Sequence, residues 1–156
     1  MLLTRVITAA VLLLLLVGAL WLGDAPFCAV MAAAFGLVAR EWMQMTKLSH
    51  GASWAFGIFL AVLGAALALS GYWPQGPVFL GYILAVTAVW MAILSITFVA
   101  RDRGFMVNDT TSRLLCAALV PAAWLSLVWL MHAGRWPLML SVFMLVWLAD
   151  ACAYFA

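Results

Sequence analysis

Charged residues are scarce in this chain of 156 residues: Lys, Arg, Asp and Glu make up 8% of it, and hydrophobic residues make up 70%. Soluble domains carry about 25% charged residues, so the composition excludes a water-soluble fold. The sequence also lacks segments in which apolar and polar residues alternate over about ten positions, which argues against an outer-membrane barrel. The remaining class is an integral membrane protein built from α-helices.

The signatures of soluble enzymes are missing as well. The chain has no glycine-rich phosphate loop, no H-E-x-x-H motif and no serine nucleophile elbow. Its cysteines, Cys28, Cys116 and Cys152, lie in three different apolar runs without C-x-x-C spacing. We interpret them as small buried hydrophobic residues rather than metal ligands or disulfide partners. His50 and His132 lie near the predicted membrane interfaces, where we expect them to be hydrated.

The sequence contains six apolar runs, and each is close to the length of about 20 residues that a transmembrane helix needs. They cover roughly residues 6–22, 25–42, 52–70, 77–100, 114–132 and 137–156. Asp24 is a candidate cap for the second run, and Pro137 suits the start of the sixth. Pro121 falls inside the fifth run, where it would release the carbonyl of Ala117 and kink the helix. We therefore predict an all-α polytopic membrane protein with a single bundle of about six helices over residues 1–156.

Basic residues are unevenly distributed between the two ends of these runs. One end carries six of the seven, and the other carries only Arg135. The six are Arg5, Arg40, Lys47, Arg101, Arg103 and Arg113. Because Lys and Arg accumulate in cytoplasmic loops, this basic end, with both termini and the loops 43–51 and 101–113, is predicted to be cytoplasmic. Arg101, Arg103 and Arg113 could attract a phosphate or nucleotide, but a role in membrane topology and contacts with anionic lipid headgroups explain these arginines as well.

One acid, Asp150, lies within the last apolar run. An ionised Asp at the bilayer centre costs about 2.5–3.5 kcal/mol on insertion scales, so such acids normally face protein or water. At 1.5 Å per residue, Asp150 lies roughly 20 Å from Pro137, within the cytoplasmic half of the membrane. Helical spacing places Trp147 and Tyr154 on the face of Asp150. Both a functional role and a hydrogen bond to a neighbouring helix are compatible with this position.

The segment LVWLADACAYFA, residues 145–156, resembles the W-x-x-D-x-x-A-Y stretch of the phosphatidate cytidylyltransferases, or CDP-diacylglycerol synthases. The opening LLTRVITAAVLLLLL resembles the start of that family, and AREWMQM (39–45) resembles the end of its second helix. The three matches occur in the family's order and span the whole chain. The resemblance implies a multi-pass enzyme of a bacterial-type inner membrane that serves phospholipid biosynthesis. It would convert CTP and phosphatidic acid into CDP-diacylglycerol and pyrophosphate, with Mg²⁺ as cofactor.

The resemblance implies roles for two residues of this chain. Asp150 would be a catalytic residue and a Mg²⁺ ligand, and Tyr154 would line the pocket beside it. The family's C-terminal half carries a signature of serine, Lys-Arg, acidic and His-Gly-Gly residues, and these 156 residues contain none of it. A lone carboxylate cannot supply the near-octahedral oxygen ligands that Mg²⁺ requires. We therefore expect the chain to represent the N-terminal portion of the enzyme and to be inactive alone.

Two functions from other classes remain open. A small transporter or proton-relay protein would load a proton or cation at Asp150, and it would need further polar residues converging there. A non-catalytic membrane partner would be held by helix faces rich in Trp and Met, of which the chain has nine each. The expected partners are the lipid bilayer, CTP and phosphatidic acid, without nucleic acid. A homodimer is also left open.

The predicted orientation can be tested with single cysteines after the native cysteines are replaced. In intact cells, an impermeant thiol reagent should label Gln75→Cys and spare Asn108→Cys, because the loops rich in Lys and Arg stay in the cytoplasm. Labelling is measured as a mass shift of the purified chain, and opening the cells should make both positions reactive. Labelling of position 108 but not of position 75 in intact cells would establish the opposite orientation.

Overall fold

The computed structural model describes residues 2–71, 75–99 and 108–155, without the side chains of residues 2–6, 8–10, 12–13, 150–151 and 153–155. The described residues form six α-helices and no strand, which confirms the all-helical prediction. The helices are α1 (Leu2–Trp21), α2 (Asp24–Met45), α3 (His50–Leu69), α4 (Pro77–Val99), α5 (Asp109–His132) and α6 (Trp136–Phe155). Four of them, α2 to α5, are long and apolar enough to cross a membrane, and α6 has a shorter apolar stretch, Trp136–Ala149.

Helices α3 and α5 begin before their apolar runs, and a polar side chain caps each of them. The Ser49 hydroxyl accepts a hydrogen bond from the Ala52 backbone N–H at 3.3 Å, at the start of α3. Asn108 Oδ1 accepts from the Thr111 backbone N–H at 2.7 Å, at the start of α5. Each cap satisfies one of the N–H groups that a first turn leaves without a helical partner. The polar first turns of α3 and α5 therefore extend both helices into the basic end.

The start of α2 corrects one expectation from the sequence. Gly23 is the N-cap, and Asp24 is the first helical residue. The Gly23 carbonyl accepts from the Phe27 N–H at 3.1 Å, and its φ of 109° is a conformation that glycine adopts without strain. Asp24 therefore does not act as the cap, although its charge still interacts favourably with the positive end of the helix dipole.

The core lies where α2, α3 and α5 meet. Its largest fully buried side chains are Phe27, Val128, Cys28, Cys116 and Ser53. Trp124 of α5 is also buried and donates its indole N–H to the Cys28 carbonyl of α2 at 3.0 Å. By contrast, the described residues of α4 include none that is buried. Three helices therefore form the packed centre, and α4 lies at its edge.

Pro121 lies inside α5, as the sequence predicts. Proline has no N–H to donate to the carbonyl of Ala117, and its ring disturbs the preceding turn. The next carbonyl, that of Ala118, accepts a hydrogen bond from the Tyr82 hydroxyl of α4 at 2.7 Å. Hydrocarbon offers no donors, so a side-chain hydroxyl that binds a carbonyl beside a membrane-embedded proline is favourable. Tyr82 therefore links α4 to the proline-containing segment of α5.

The backbones of α2 and α3 are in direct contact. A Cβ atom on Gly36 would lie 2.5 Å from the Gly57 carbonyl oxygen, and a Cβ atom on Gly57 would lie 2.6 Å from the Gly36 carbonyl oxygen. Farther along, a Cβ atom on Gly64 would lie 2.8 Å from the Ala32 Cβ. Small residues permit this close approach between membrane helices. The two helices thus form a tight hairpin around the connection 46–49.

The contact predicts different effects for the same substitution at two glycines. Gly36→Ala should lower the free energy of unfolding by about 1–3 kcal/mol, the usual cost of overpacking. Gly81→Ala, in α4, should be neutral or slightly stabilising, because no described atom outside its own turn lies within 4 Å of the added methyl group and alanine favours helices. Denaturation of the purified variants in detergent measures the difference. Equal midpoints would show that the Gly36 backbone does not contact α3.

Candidate functional site at the basic end

The residues singled out from the sequence, Asp150 and Tyr154, both lie in α6. Their side chains are outside what the structure describes, so their contacts and roles stay predictions. The backbone of Asp150 belongs to the half of α6 that lies farther from the α5–α6 turn. The described packing of α6 on α5 is near that turn, where the buried Met139 joins the core with Met131. Arg101 and Arg103 also lie outside the described residues.

At the basic end, Arg113 of α5 binds the C-terminus of α2. Its Nε donates to Thr46 Oγ1 at 3.1 Å, and its Nη2 donates to the Thr46 carbonyl at 2.6 Å. Thr46 is only 3% exposed, and its hydroxyl donates in turn to the Met43 carbonyl at 2.8 Å. A cation is favoured here because the last carbonyls of a helix lack partners and carry the negative end of its dipole. Arg113 is therefore part of the architecture of this end.

The chain reverses direction after α2 through Lys47, which has a left-handed backbone with φ of 58°. The Lys47 N–H donates to the Gln44 carbonyl at 3.1 Å, and the Leu48 N–H donates to the Met43 carbonyl at 3.3 Å. These two bonds form a Schellman motif, in which the residue with the left-handed backbone, here Lys47, is usually glycine. The Lys47 ammonium is 3.9 Å from Asp109 Oδ2, and its side chain is exposed. Such an exposed pair contributes little to stability.

Two more hydrogen bonds connect α2 and α5 near Arg113. Trp42 Nε1 donates to the Ser112 hydroxyl at 3.0 Å. The buried Cys116 thiol lies 3.8 Å from the Ala39 carbonyl, where it can act as a weak donor. Together with Arg113, these bonds determine how α2 and α5 are aligned. In the part of the basic end that the structure describes, the end of α2 and the start of α5 are therefore held together.

A second group of polar side chains, the Arg40–Trp54 cluster (Arg40, Glu41, Gln44, His50 and Trp54), lies on the α2–α3 hairpin. The Arg40 guanidinium carbon is 4.6 Å from the Trp54 ring centroid, and Nη1 pairs with Glu41. Trp54 Nε1 donates to His50 Nε2 at 3.0 Å, and His50 Nδ1 is 2.8 Å from the Gln44 amide. His50 Nε2 accepts the Trp54 N–H and Nδ1 contacts Gln44 Nε2, so side chains hold the imidazole ring on both sides.

Within the described residues, no group of three or more His, Cys, Asp or Glu side chains could hold a metal ion. Mg²⁺ prefers about six oxygen ligands, of which carboxylates and waters supply most. Two carboxylates at the basic end already face cations, since Glu41 pairs with Arg40 and Asp109 faces Lys47. The described part of the site therefore does not fit Mg²⁺. It offers cationic donors, which suit phosphate oxygens.

Sequence reasoning missed the partners of Arg113 and Arg40. Arginine at a helix end is typical of a surface cation. Thr46 is far from Arg113 in the sequence, and Trp54 is far from Arg40, so no local pattern indicated these contacts. The expectation for the cysteines holds for the buried Cys28 and Cys116. It is wrong for the exposed Cys152, because the described part of α6 packs on the core mainly near its start. His50 is exposed as expected, but its ring is held by two side chains.

Comparison with models of known protein families gives a match over nearly the whole chain. The model of a protein family described as the cytidylyltransferase family matches residues 3–156. Neither the curated proteins nor the solved structures contain a match to the chain.

The structure predicts unequal effects for two charge removals at the basic end. Arg113→Gln should destabilise the chain by about 1.5–3 kcal/mol, the usual contribution of hydrogen bonds to charged groups. Lys47→Gln should cost at most about 1 kcal/mol, because its ion pair is exposed. Thermal unfolding in detergent, followed by intrinsic fluorescence, provides the comparison. An equal effect of the two substitutions would mean that Arg113 is a surface charge.

Proposed function

The chain belongs to the cytidylyltransferase family, whose model covers residues 3–156, and we propose on this premise that it serves the synthesis of CDP-diacylglycerol. The family match is the observation that carries the proposal, because it implies a transferase that uses CTP. The apolar helices support a lipid as the second substrate. The resemblance of residues 145–156 to the phosphatidate enzymes supports phosphatidic acid as that lipid.

The reaction requires a site where cytoplasmic water meets the membrane, because CTP is soluble and phosphatidic acid is not. The basic end suits this requirement. It combines exposed Lys47 with the ordered helix ends that Arg113 connects. Cations on such a surface attract the polyphosphate of CTP. In this proposal, the basic end faces the cytoplasm of a cell with a bacterial-type inner membrane.

The chemistry is the displacement of pyrophosphate. A phosphate oxygen of phosphatidic acid attacks the α-phosphorus of CTP, and the bond from that phosphorus to the bridging oxygen of the leaving pyrophosphate breaks. Catalysis of such transfers consists mainly of positioning and of neutralising negative charge. Mg²⁺ would supply that neutralisation when bound. The contribution of the described residues is positional: Arg113, bound to Thr46, keeps the ends of α2 and α5 together.

Asp150 and Tyr154 enter the proposal through the W-x-x-D-x-x-A-Y pattern. Asp150 is proposed as a catalytic residue and Mg²⁺ ligand, and Tyr154 is proposed to line the same pocket. A single carboxylate leaves most positions around Mg²⁺ to other ligands. The 156 residues alone are therefore proposed to be inactive and to need the Lys-Arg and His-Gly-Gly signature that other members of the family carry.

The described residues give no support to a transporter. Those that are both polar and buried are Thr46 and Ser53. Both lie beside the α2–α3 connection, and their hydroxyls donate to the nearby carbonyls of Met43 and Ser49. Transport sites instead gather polar groups near the middle of the bilayer.

Asp150→Asn tests the proposed role in an active context, obtained by joining residues 1–156 to the C-terminal half of a working family member. Product formation from CTP and phosphatidic acid should fall by more than about 100-fold, as when a group that stabilises transition-state charge is removed. Membrane accumulation should be unchanged or slightly higher, because Asn keeps the size of Asp without its charge. Chromatography of lipid products labelled from CTP measures activity.

Asp109→Asn is the matched control, because Asp109 is half exposed and faces the exposed Lys47. It should accumulate and react like the parent, while the 156 residues alone should form no product. If Asp150→Asn accumulates normally and keeps its rate within a few-fold, Asp150 is not catalytic. If it fails to accumulate, the carboxylate has a structural partner instead.

A further inference from the structure

A groove follows the exposed side of the contact between α2 and α3. Its volume is about 220 Å³, and its lining includes Ala33, Leu37, Arg40, Trp54, Ile58 and Ala61. We propose that this groove holds an anionic phospholipid, with an acyl chain along its floor and the phosphate beside Arg40. The proposal is independent of the transferase reaction, because it concerns a lipid bound on the outer surface of the hairpin.

The groove exists because its floor is built from glycine and alanine. Gly36 and Gly57 meet backbone to backbone, which leaves a furrow between the two helices. Leu37 and Ile58 form its walls and are 55% and 54% exposed. An apolar furrow open to hydrocarbon is filled by the surrounding chains through van der Waals contact. The floor therefore suits an acyl chain.

The end of the groove is cationic. Arg40 precedes the last residue of α2 by five positions, which places its Cα about 7 Å below that helix end. Its side chain is only 18% exposed. A long basic side chain this close to a helix end extends toward the membrane interface, where it meets polar groups and anions. The headgroup phosphates are the anions that a bilayer supplies near this depth.

The described partners of Arg40 compensate it incompletely. Glu41 pairs with Nη1, but the Glu41 side chain is 63% exposed and therefore well hydrated. Trp54 covers one face of the guanidinium. Arg40 Nε is buried and has no acceptor among the described residues. A phosphate beside the guanidinium would provide the missing negative charge, and phosphate pairs with arginine through strong charge-assisted hydrogen bonds.

The position of Trp54 supports the same occupant. Tryptophan is enriched where hydrocarbon meets the headgroups, because its ring is apolar and its N–H is polar. Here the ring covers Arg40, and the N–H is held by His50. The apolar floor and the cationic end thus match the acyl chain and the phosphate of an anionic phospholipid in their order along the groove.

The test measures lipid binding to the purified chain in detergent by native mass spectrometry, with no CTP present. The chain should bind phosphatidylglycerol about fivefold more tightly than phosphatidylcholine of the same chain length, the ratio expected for one basic residue at an anionic surface. Arg40→Gln should abolish this preference. Lys47→Gln removes a charge from the same end outside the groove and should preserve it.

A second pair of variants fills the groove without changing charge. Ala33→Leu should reduce the binding of both lipids, because its side chain would occupy the floor. Ala34→Leu is the control, since Ala34 is exposed on the same helix and lies outside the lining. This pair keeps the test decisive if Arg40→Gln does not fold.

Four results would overturn the proposal. An unchanged preference in a folded Arg40→Gln variant, or unchanged binding in Ala33→Leu, would show that the lipid lies elsewhere. An equal loss of preference in Lys47→Gln would show only diffuse attraction by the basic end. A dimer that Ala33→Leu disrupts, without bound lipid, would show that a second copy of the chain covers the groove. None of these results depends on catalytic turnover.

Discussion

The contact between the backbones at Gly36 and Gly57 is the constraint on which most of the structure depends. Lipid chains are as apolar as leucine, so helices in a membrane gain little from hiding apolar side chains from one another. Close packing of α2 and α3 requires that both positions lack a Cβ atom. The same approach brings Arg40 over Trp54 and allows Trp124 to pack against Gly64 on the hairpin.

Hydrogen bonds to backbone carbonyls then attach the other helices to this hairpin. Trp124 donates to the Cys28 carbonyl, and Arg113 donates to the Thr46 carbonyl, so α5 is held at two levels of α2. The Tyr82 hydroxyl similarly attaches α4 to α5. A side-chain donor buried in hydrocarbon has no water to bind, so each unpaired donor or acceptor would be costly. These bonds therefore give the bundle a specific arrangement that apolar contacts alone would not.

The helices were predictable because their apolar runs are long and the residues between them are polar or turn-forming. The proline in α5 was recognisable for the same local reason. The contact between Arg40 and Trp54 was not predictable. It depends on the alignment of α2 and α3, and that alignment depends on two glycines. The sequence likewise indicates only a surface cation at Arg113, because no local pattern shows that the end of α2 lies beside it. Asp150 was identified from a local pattern, and its surroundings depend on side chains outside those described.

The weak attachment of α4 makes bilayer thickness a determinant of the structure. Its 23 residues would extend about 34 Å at 1.5 Å per residue, more than the roughly 30 Å of a typical hydrocarbon core. A helix that is too long for its bilayer tilts, and strong packing would normally limit that response. Because the described residues of α4 include none that is buried, the bond from Tyr82 to the Ala118 carbonyl acts as a pivot. A thinner membrane would therefore increase the tilt of α4 while leaving the α2–α3–α5 core unchanged.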